Sequence, residues 1–274
     1  MKPDHCQSMR LTVITVVFND WPGLEKTIDS MVMLRAIEVE HWVVDGSTTD
    51  EVKRFLADSS GIRWISEPDQ GIYDAMNKGL DRATGDYVLF MNAGDVFHPQ
   101  FDVQNFFELT HATSQVLLGS VVETTLGDDY LNPGNGYEAN VFDAPRHQAT
   151  FYPKQFVANH RYDLKIKIGS DGELTHRAIE RQGATFVSMP VAIFEKGGVS
   201  STYGSWRVLR QRFAESTSVK STLKLATKAL LWHIMPRRLF YSLLASYKHS
   251  RLLPGQILAV GKVVLHRPAR SCES

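Results

Sequence analysis

LTVITVVFND, Leu11 to Asp20, is the stretch that decides the architecture. From Leu11 to Phe18 it is an almost unbroken apolar, β-branched run, the pattern of a strand buried on both faces. The run breaks at Asn19-Asp20-Trp21-Pro22-Gly23, turn chemistry that also opens a helix, and Leu24, Ile28, Met31 and Leu34 follow at helical spacing. Outward from there, HWVVD (His41–Asp45) reads as a second strand and Glu51–Ala57 as a short helix. Ile62–Ser66 reads as a third strand, Gly71–Ala83 as a helix with Ile72, Met76 and Leu80 on one face, and Tyr87–Met91 as a fourth strand. This alternation predicts an α/β fold, a mostly parallel central sheet flanked by helices. Beyond residue 110 the pattern loosens. Gln115–Val122 reads as a strand, Gly127–Pro145 as a long loop, Gly172–Gln182 as a helix, Thr185–Ser188 as a short strand and Trp206–Glu215 as a helix; Trp42 and Trp64 are expected in the core.

In open sheets of this kind ligands bind beyond the carboxyl ends of the strands. Asp45 closes the second strand, and Asp95 follows the fourth in LFMNAGD (Leu89–Asp95), so both should face one crevice. Turn chemistry alone accounts for Gly94 better than for Asp95. Neither G-x-G-x-x-G between strand and helix nor G-x-x-x-x-G-K-[ST] is present, which disfavours a dehydrogenase or a P-loop enzyme. A carboxylate can instead accept a hydrogen bond from a nucleobase N–H, or hold a hard divalent cation that holds a diphosphate. For Asp45 the alternative is an Asx-turn with Ser47 or Thr48. In Ser170-Asp171-Gly172-Glu173 the S-x-x-E spacing is that of a capping box, which occupies Ser170 and Glu173 and leaves Asp171 without a structural duty beyond the helix dipole.

Of 274 residues, 43% are hydrophobic and 22% charged, enough for a real core. Cys6 and Cys272 are the only cysteines, so no disulfide framework or thiolate cluster is indicated. The first ten residues are polar and no apolar run approaches a membrane span, so a cytosolic location is expected. The formal net charge of zero hides a division. Trp206–Ser274 holds 13 Lys and Arg against Glu215 and Glu273, a balance of +11, which leaves −11 on the rest. Between Val219 and Ile234, Val219, Leu223, Ala226, Leu230 and Ile234 recur at helical spacing while Lys220, Lys224 and Lys228 share another face. That basic amphipathic helix either packs on the acidic body or anchors at an anionic membrane surface; no nucleic-acid-binding module is present.

These segments together resemble the inverting family 2 glycosyltransferases of GT-A fold, in particular those that build bacterial cell-surface polysaccharides such as exopolysaccharide and lipopolysaccharide. The resemblance runs through TVVFN (Thr15–Asn19), VDGSTTD (Val44–Asp50), SEPDQGIYDAMNKGLDRATGDYVLFMNAGD (Ser66–Asp95), HQATFY (His147–Tyr152), KIGSDGEL (Lys167–Leu174) and GGVSS (Gly197–Ser201). It implies a catalytic domain over 9–205 and a basic helical appendage over 206–274. Asp171 would be the catalytic base, Asp45 would bind the nucleobase and Asp95 would end a DXD-type motif holding Mg²⁺ or Mn²⁺. Thr15, Val17, Asn19, Asp74, Asn92, Ala93 and Gly94 would complete the nucleotide site, with His147 and Glu173 on the acceptor side. Many members carry two acidic residues where this chain has Gly94 and Asp95, so the metal would rest on one protein carboxylate, the diphosphate and water. His147 could equally be a hydrogen-bonded structural residue, and Asp74 part of a solvated helix face. The expected donor is a UDP- or GDP-sugar, the acceptor a glycan hydroxyl on a lipid-linked chain, and the location the cytoplasmic face of the inner membrane. A nucleotidyltransferase of related fold and a non-catalytic sugar-nucleotide-binding protein are the competing readings.

Overall fold

The run that opens the sequence becomes β1 (Arg10–Val17), and all its residues after Arg10 are buried. It lies between β2 (Glu38–Asp45) and β4 (Tyr87–Asn92), parallel to both, and β3 (Arg63–Ser66) extends the sheet parallel to β2. Burial follows the strand period of two. Leu11, Val13, Leu89 and Met91 enter one core, and Ile14, Val16, Val88 and Phe90 another. The first core takes Phe106 and Phe107 of α4 (Val103–Thr110), and the second takes Ala75, Met76 and Leu80 of α3 (Ile72–Leu80) with Leu174 and Ala178 of α6 (Ser170–Gln182). A smaller core joins Val17 and Val43 to Leu24 of α1 (Trp21–Ser30) and to Val52 and Leu56 of α2 (Glu51–Ala57).

The computed structural model describes residues 9–110, 114–125, 128–132, 145–195, 210, 219–236, 239–240, 243, 250–251 and 261–263. The chain divides into two compact units, Met1–Val121 with Pro133–Phe194 and Ile257–Ser274, and Val122–Asn132 with Glu195–Gln256. In the first, the parallel strands continue into antiparallel ones. β8 (Thr150–Pro153) pairs with β4, and β6 (Val116–Thr125) pairs with β8. β9 (Ala184–Glu195) pairs with β5 (Val96–Phe97) and with β11 (Gly261–Val263). A four-residue helix, α5 (Lys154–Val157), follows β8.

Several expectations need correction. β9 spans 12 residues where Thr185–Ser188 was expected, because Pro190, a residue that normally ends a strand, lies inside it. The segment read as a long loop contains β7 (Asp128–Asn132). Trp42 and Trp64 are half-buried rather than core, with the guanidiniums of Arg63 and Arg82 lying 5.8 and 6.0 Å from the Trp42 ring centroid. In the second unit β10 (Ser250–Arg251) pairs with β7. There the expected basic helix forms as α7 (Val219–Ile234), whose Leu225, Ala229 and Trp232 pack with Phe240. The expected helix at Trp206–Glu215, the GGVSS segment and the 205/206 boundary lie outside the described residues, Arg210 excepted.

Candidate active site at the strand ends

Where β1 ends, Asn19 takes a left-handed backbone, φ 53°, rare outside glycine but tolerated by asparagine. The side chain explains the tolerance. Its Oδ1 accepts from the Thr48 N–H at 3.0 Å, its Nδ2 donates to Thr48 Oγ1 at 3.1 Å, and its own N–H donates to Ser47 Oγ at 2.8 Å. Asn19 therefore ties the loop after β1 to the loop after β2. The side chains of Thr15 and Val17 do not join that tie. Thr15 is fully buried against His41 Nε2 at 2.9 Å, and Val17 packs in the small core, so both side chains serve the sheet.

Asp45, 1% exposed, accepts from the Ser47 N–H at 2.9 Å and from Ser66 Oγ at 2.8 Å, so the Asx-type turn is real and a tie to β3 is added. Asp74 accepts from the Gln70 N–H at 3.0 Å and stands 3.7 Å from Lys78 Nζ, which gives it the duty of holding the loop before α3. The pairs Val17↔Asp45 and Val16↔Asn92 set Asp45 and Asn92 on either side of β1, one strand away each. At the usual strand spacing they stand roughly 10 Å apart.

The segment after β4 is held by α1. The Gly94 N–H donates to the Gly23 carbonyl at 2.9 Å and to Thr27 Oγ1 at 3.0 Å, Thr27 Oγ1 donates to the Asp95 carbonyl at 2.8 Å, and the Ala93 N–H donates to the Val16 carbonyl at 3.0 Å. The Asp95 carboxylate is asymmetric. Its Oδ2 accepts from the Asn92 N–H at 3.0 Å and from Gln148 Nε2 at 2.9 Å, while its Oδ1 has no hydrogen bond among the described residues. Burial raises its pKa, against the charge of His147 and the Gln148 and Asn92 bonds.

Asp171 sits in the first turn of α6. Tyr73 Oη donates to Oδ1 at 3.0 Å and itself accepts from the Gly169 N–H at 3.0 Å, while His147 Nδ1 lies 3.4 Å from Oδ2. Burial works to raise the Asp171 carboxyl, but the His147 bond and charge, the Tyr73 bond and the charge of Arg146 bring it down to about 2. Burial and the neighbouring Asp171 push the Tyr73 phenol up, so it stays a protonated donor. The capping box is not formed. Gly169, left-handed at φ 91°, opens the helix; Ser170 Oγ donates to the Asp163 carbonyl at 3.2 Å; and Glu173 pairs with Arg177 at 3.0 Å. Glu173 thus has a partner on its own helix.

Two groups that the sequence did not single out complete the arrangement. Gln148 touches Asp95, Tyr73 touches Asp171, and His147 joins the two neighbourhoods by contacting Asn92 Nδ2 at 3.2 Å as well as Asp171. The HQ dipeptide was the available signal for Gln148. Nothing local marks Tyr73.

No group of three or more His, Cys, Asp or Glu among the described residues is arranged to hold a metal. Among the described residues Asp95 Oδ1 accepts no hydrogen bond, and the Gln148 Oε1 and Asn92 Oδ1 carbonyls are buried without partners. This donor set fits a hard cation shared with a bound diphosphate and not one held by protein alone.

The family model described as glycosyl transferase family 2 matches residues 12–172, from β1 to the residue after Asp171. The chain belongs to glycosyltransferase family 2. An uncharacterised glycosyltransferase of Mycobacterium tuberculosis is 33% identical over 207 residues, 70% of this chain and 77% of that one. A PGL/p-HBAD biosynthesis glycosyltransferase of Mycobacterium bovis is 28% identical over 210 residues, 70% of this chain and 79% of that one. Among solved structures, S. aureus TarS in complex with UDP-GlcNAc superposes with a TM-score of 0.53 at 15% identity, covering 86% of this chain and 76% of that one. That likeness shows the fold, GT-A. For this family 2 glycosyltransferase the matched span contains every expected site residue except Glu173.

Proposed function

We propose that this glycosyltransferase moves one sugar from a UDP- or GDP-sugar to a hydroxyl of a glycan acceptor, with inversion at the anomeric carbon, in the synthesis of a cell-surface polysaccharide. One observation carries the reading. Asp171, an anion aimed by Tyr73 and His147, is linked through His147 and Asn92 to Asp95 at the end of the neighbouring strand. A single displacement uses a base on the acceptor side and stabilisation on the diphosphate side, and this network holds two carboxylates suited to those tasks in one neighbourhood. A donor of this class is supported by the nucleotide sugar named in the TarS complex.

In this mechanism the acceptor oxygen attacks the anomeric carbon from the face opposite the diphosphate. The new C–O bond forms as the bond to the diphosphate oxygen breaks, and the acceptor proton passes to Asp171. Asp171 is ionised long before neutrality. It is a weak base until the acceptor covers its side chain, 31% exposed, and desolvation drives its pKa towards working pH. Asp45 would accept from the nucleobase, and Asn19 with Ala93 and Gly94 would shape the floor of the donor site. Asp95 would hold a divalent Mg²⁺ or Mn²⁺ on the diphosphate side, where the ion would supply Lewis-acid stabilisation of the leaving group.

A lipid-linked acceptor at the cytoplasmic face of the inner membrane fits α7. No helix among the described residues is long and apolar enough to cross a membrane. Yet α7 turns Val219, Leu223, Leu230 and Ile234 outward, 86%, 67%, 59% and 66% exposed.

The test is product analysis with a panel of UDP-, GDP-, dTDP- and CMP-sugars in the presence of Mn²⁺, with the Asp171→Asn variant alongside. Release of nucleoside diphosphate is expected, and the variant should bind donor while losing about 10²–10⁴-fold in turnover. Pyrophosphate as product, no donor turnover at all, or full activity in the variant would overturn the reading.

A further inference from the structure

The 3-10 turn His147–Ala149 sends two consecutive side chains to two different carboxylates. His147 meets Asp171 and Gln148 meets Asp95, and the two residues are only 8% and 5% exposed. Asn92 closes the circuit, its N–H on Asp95 Oδ2 at 3.0 Å and its side-chain amide 3.2 Å from His147 Nε2. His147, in contact at both ring nitrogens, and Gln148, buried and held at Nε2, have little freedom to turn, so a short turn can hold two groups from distant elements at one spacing.

We propose that His147 and Gln148 are positioning residues that set the two carboxylates from a single turn: His147 donates from Nδ1 to keep Asp171 an aimed anion, and Gln148 occupies one oxygen of Asp95 so that the other faces the leaving group. The consequence for rate rests on the glycosyl-transfer reading; the proton on Nδ1 does not.

The proton's place follows from pairing rules. A carboxylate only accepts, so an Nδ1 lone pair turned towards Asp171 would be repelled. At Nε2 two arrangements are available. The Asn92 amide N–H can donate into the Nε2 lone pair, leaving a neutral ring protonated on Nδ1. With the amide turned over, Asn92 Oδ1, which is otherwise buried without a partner among the described residues, accepts from Nε2–H of the imidazolium. Both put a proton on Nδ1. In water a neutral imidazole favours the proton on Nε2, so Nδ1–H is a signature its neighbours impose. The other groups facing Asp171 are Tyr73 from α3, Arg146 before the turn, Tyr152 from β8 and Tyr162; the phenols and the arginine keep their protons through the working range.

Two measurements test this. In ¹⁵N-labelled full-length protein without substrate, long-range ¹H–¹⁵N spectra at about pH 7.5, above the ordinary histidine range, should show His147 with Nδ1 protonated, and Asp171→Ala should move the proton to Nε2; an unprotonated Nδ1 in the wild type overturns the proposal. In donor hydrolysis with UDP-GlcNAc, His147→Leu should shift the acid limb of kcat/KM to higher pH, because Asp171 loses the bond that lowers its pKa. Turnover should fall about 10²-fold with donor KM little changed. His147→Asn, whose amide takes the place of Nδ1, should restore most of the rate and the limb. An unmoved limb in His147→Leu would mean that the ring only fills space. Should that variant not fold, His147→Asn against His147→Gln, whose longer amide reaches Asn92 and not Asp171, reads the same limb. If no donor turns over, the glycosyl-transfer reading has failed while the tautomer measurement still decides the role of His147.

Discussion

Asp95 carries two donors on one oxygen and, among the described residues, none on the other, an asymmetry that would leave one oxygen for the proposed shared cation. The Gln148 bond matters because Asp95 is buried and its carboxyl is already raised. Gln148→Leu removes a donor from a desolvated carboxylate and leaves Oδ2 with only the Asn92 N–H. The carboxyl should rise further, so protons compete with metal at higher pH than in the wild type. Loss of one such outer partner typically costs about 10–100-fold in metal affinity. Calorimetry of UDP with Mn²⁺ should therefore show binding weakened by that order in Gln148→Leu, with the loss growing as pH falls. Metal-independent UDP binding should be unchanged; an equal loss with EDTA present would place Gln148 outside the metal-dependent step.

Helix α3 presents Tyr73 to Asp171, and its height above the sheet depends on Gly79. A Cβ there would lie 2.4 Å from Ile14 Cγ2 and 3.2 Å from Cδ1, inside the close approach of α3 to β1. Alanine favours a helix by about 1 kcal/mol over glycine, but overpacking a core typically costs about 1–3 kcal/mol, so Gly79→Ala should lower Tm by a few degrees. Because the lift moves Tyr73, activity measured well below Tm should fall as well; a variant as stable and active as the wild type would show that the helix yields without effect on the site. The elements themselves were largely legible, since β1, β2, β4 and α3 carry clean strand or helix periods. β9 was not, because Pro190 reads as a stop and the pairing with β5 that keeps it extended, Val96↔Ile193 and Phe97↔Ala192, comes from a segment far earlier in the chain. At the site the carboxylates were legible from their places at strand ends and in the KIGSDGEL motif, whereas Tyr73 and Gln148 reach their partners across separations of 98 and 53 residues, with the HQ dipeptide the one local signal for Gln148 and none for Tyr73. The capping box misled for a related reason: its S-x-x-E spacing is local, but Ser170 is drawn to Asp163 and Glu173 to Arg177. In TVVFN the side chains of Thr15 and Val17 are buried in the sheet, while that of Asn19, the last residue, ties two loops at the strand ends.

Across the whole molecule the charge is neutral in sum and divided in sequence, +11 beyond Trp206 and −11 before it. Within the second unit α7 is apolar on two faces. Leu225, Ala229 and Trp232 pack with Phe240, and Val219, Leu223, Leu230 and Ile234 are left outward. An outward apolar stripe costs solubility unless something covers it, and the lysines at 220, 224 and 228 fall beside that stripe in helical spacing. An anionic bilayer surface meets both features, with about 1 kcal/mol per basic residue near the headgroups and about 0.8 kcal/mol per CH₂ buried at the acyl boundary. The full chain should therefore co-sediment with phosphatidylglycerol vesicles and not with phosphatidylcholine vesicles, and the attraction should fade as salt shortens the Debye length to about 3 Å at 1 M. Leu223→Gln with Leu230→Gln should reduce binding at least about tenfold, since each change removes a buried leucine worth about 1.5–3 kcal/mol, while donor hydrolysis in solution stays at the wild-type rate. Equal binding to neutral and anionic vesicles, or none to either, would leave the stripe and its lysines to pack against protein, and the acceptor would then have to reach Asp171 from solution.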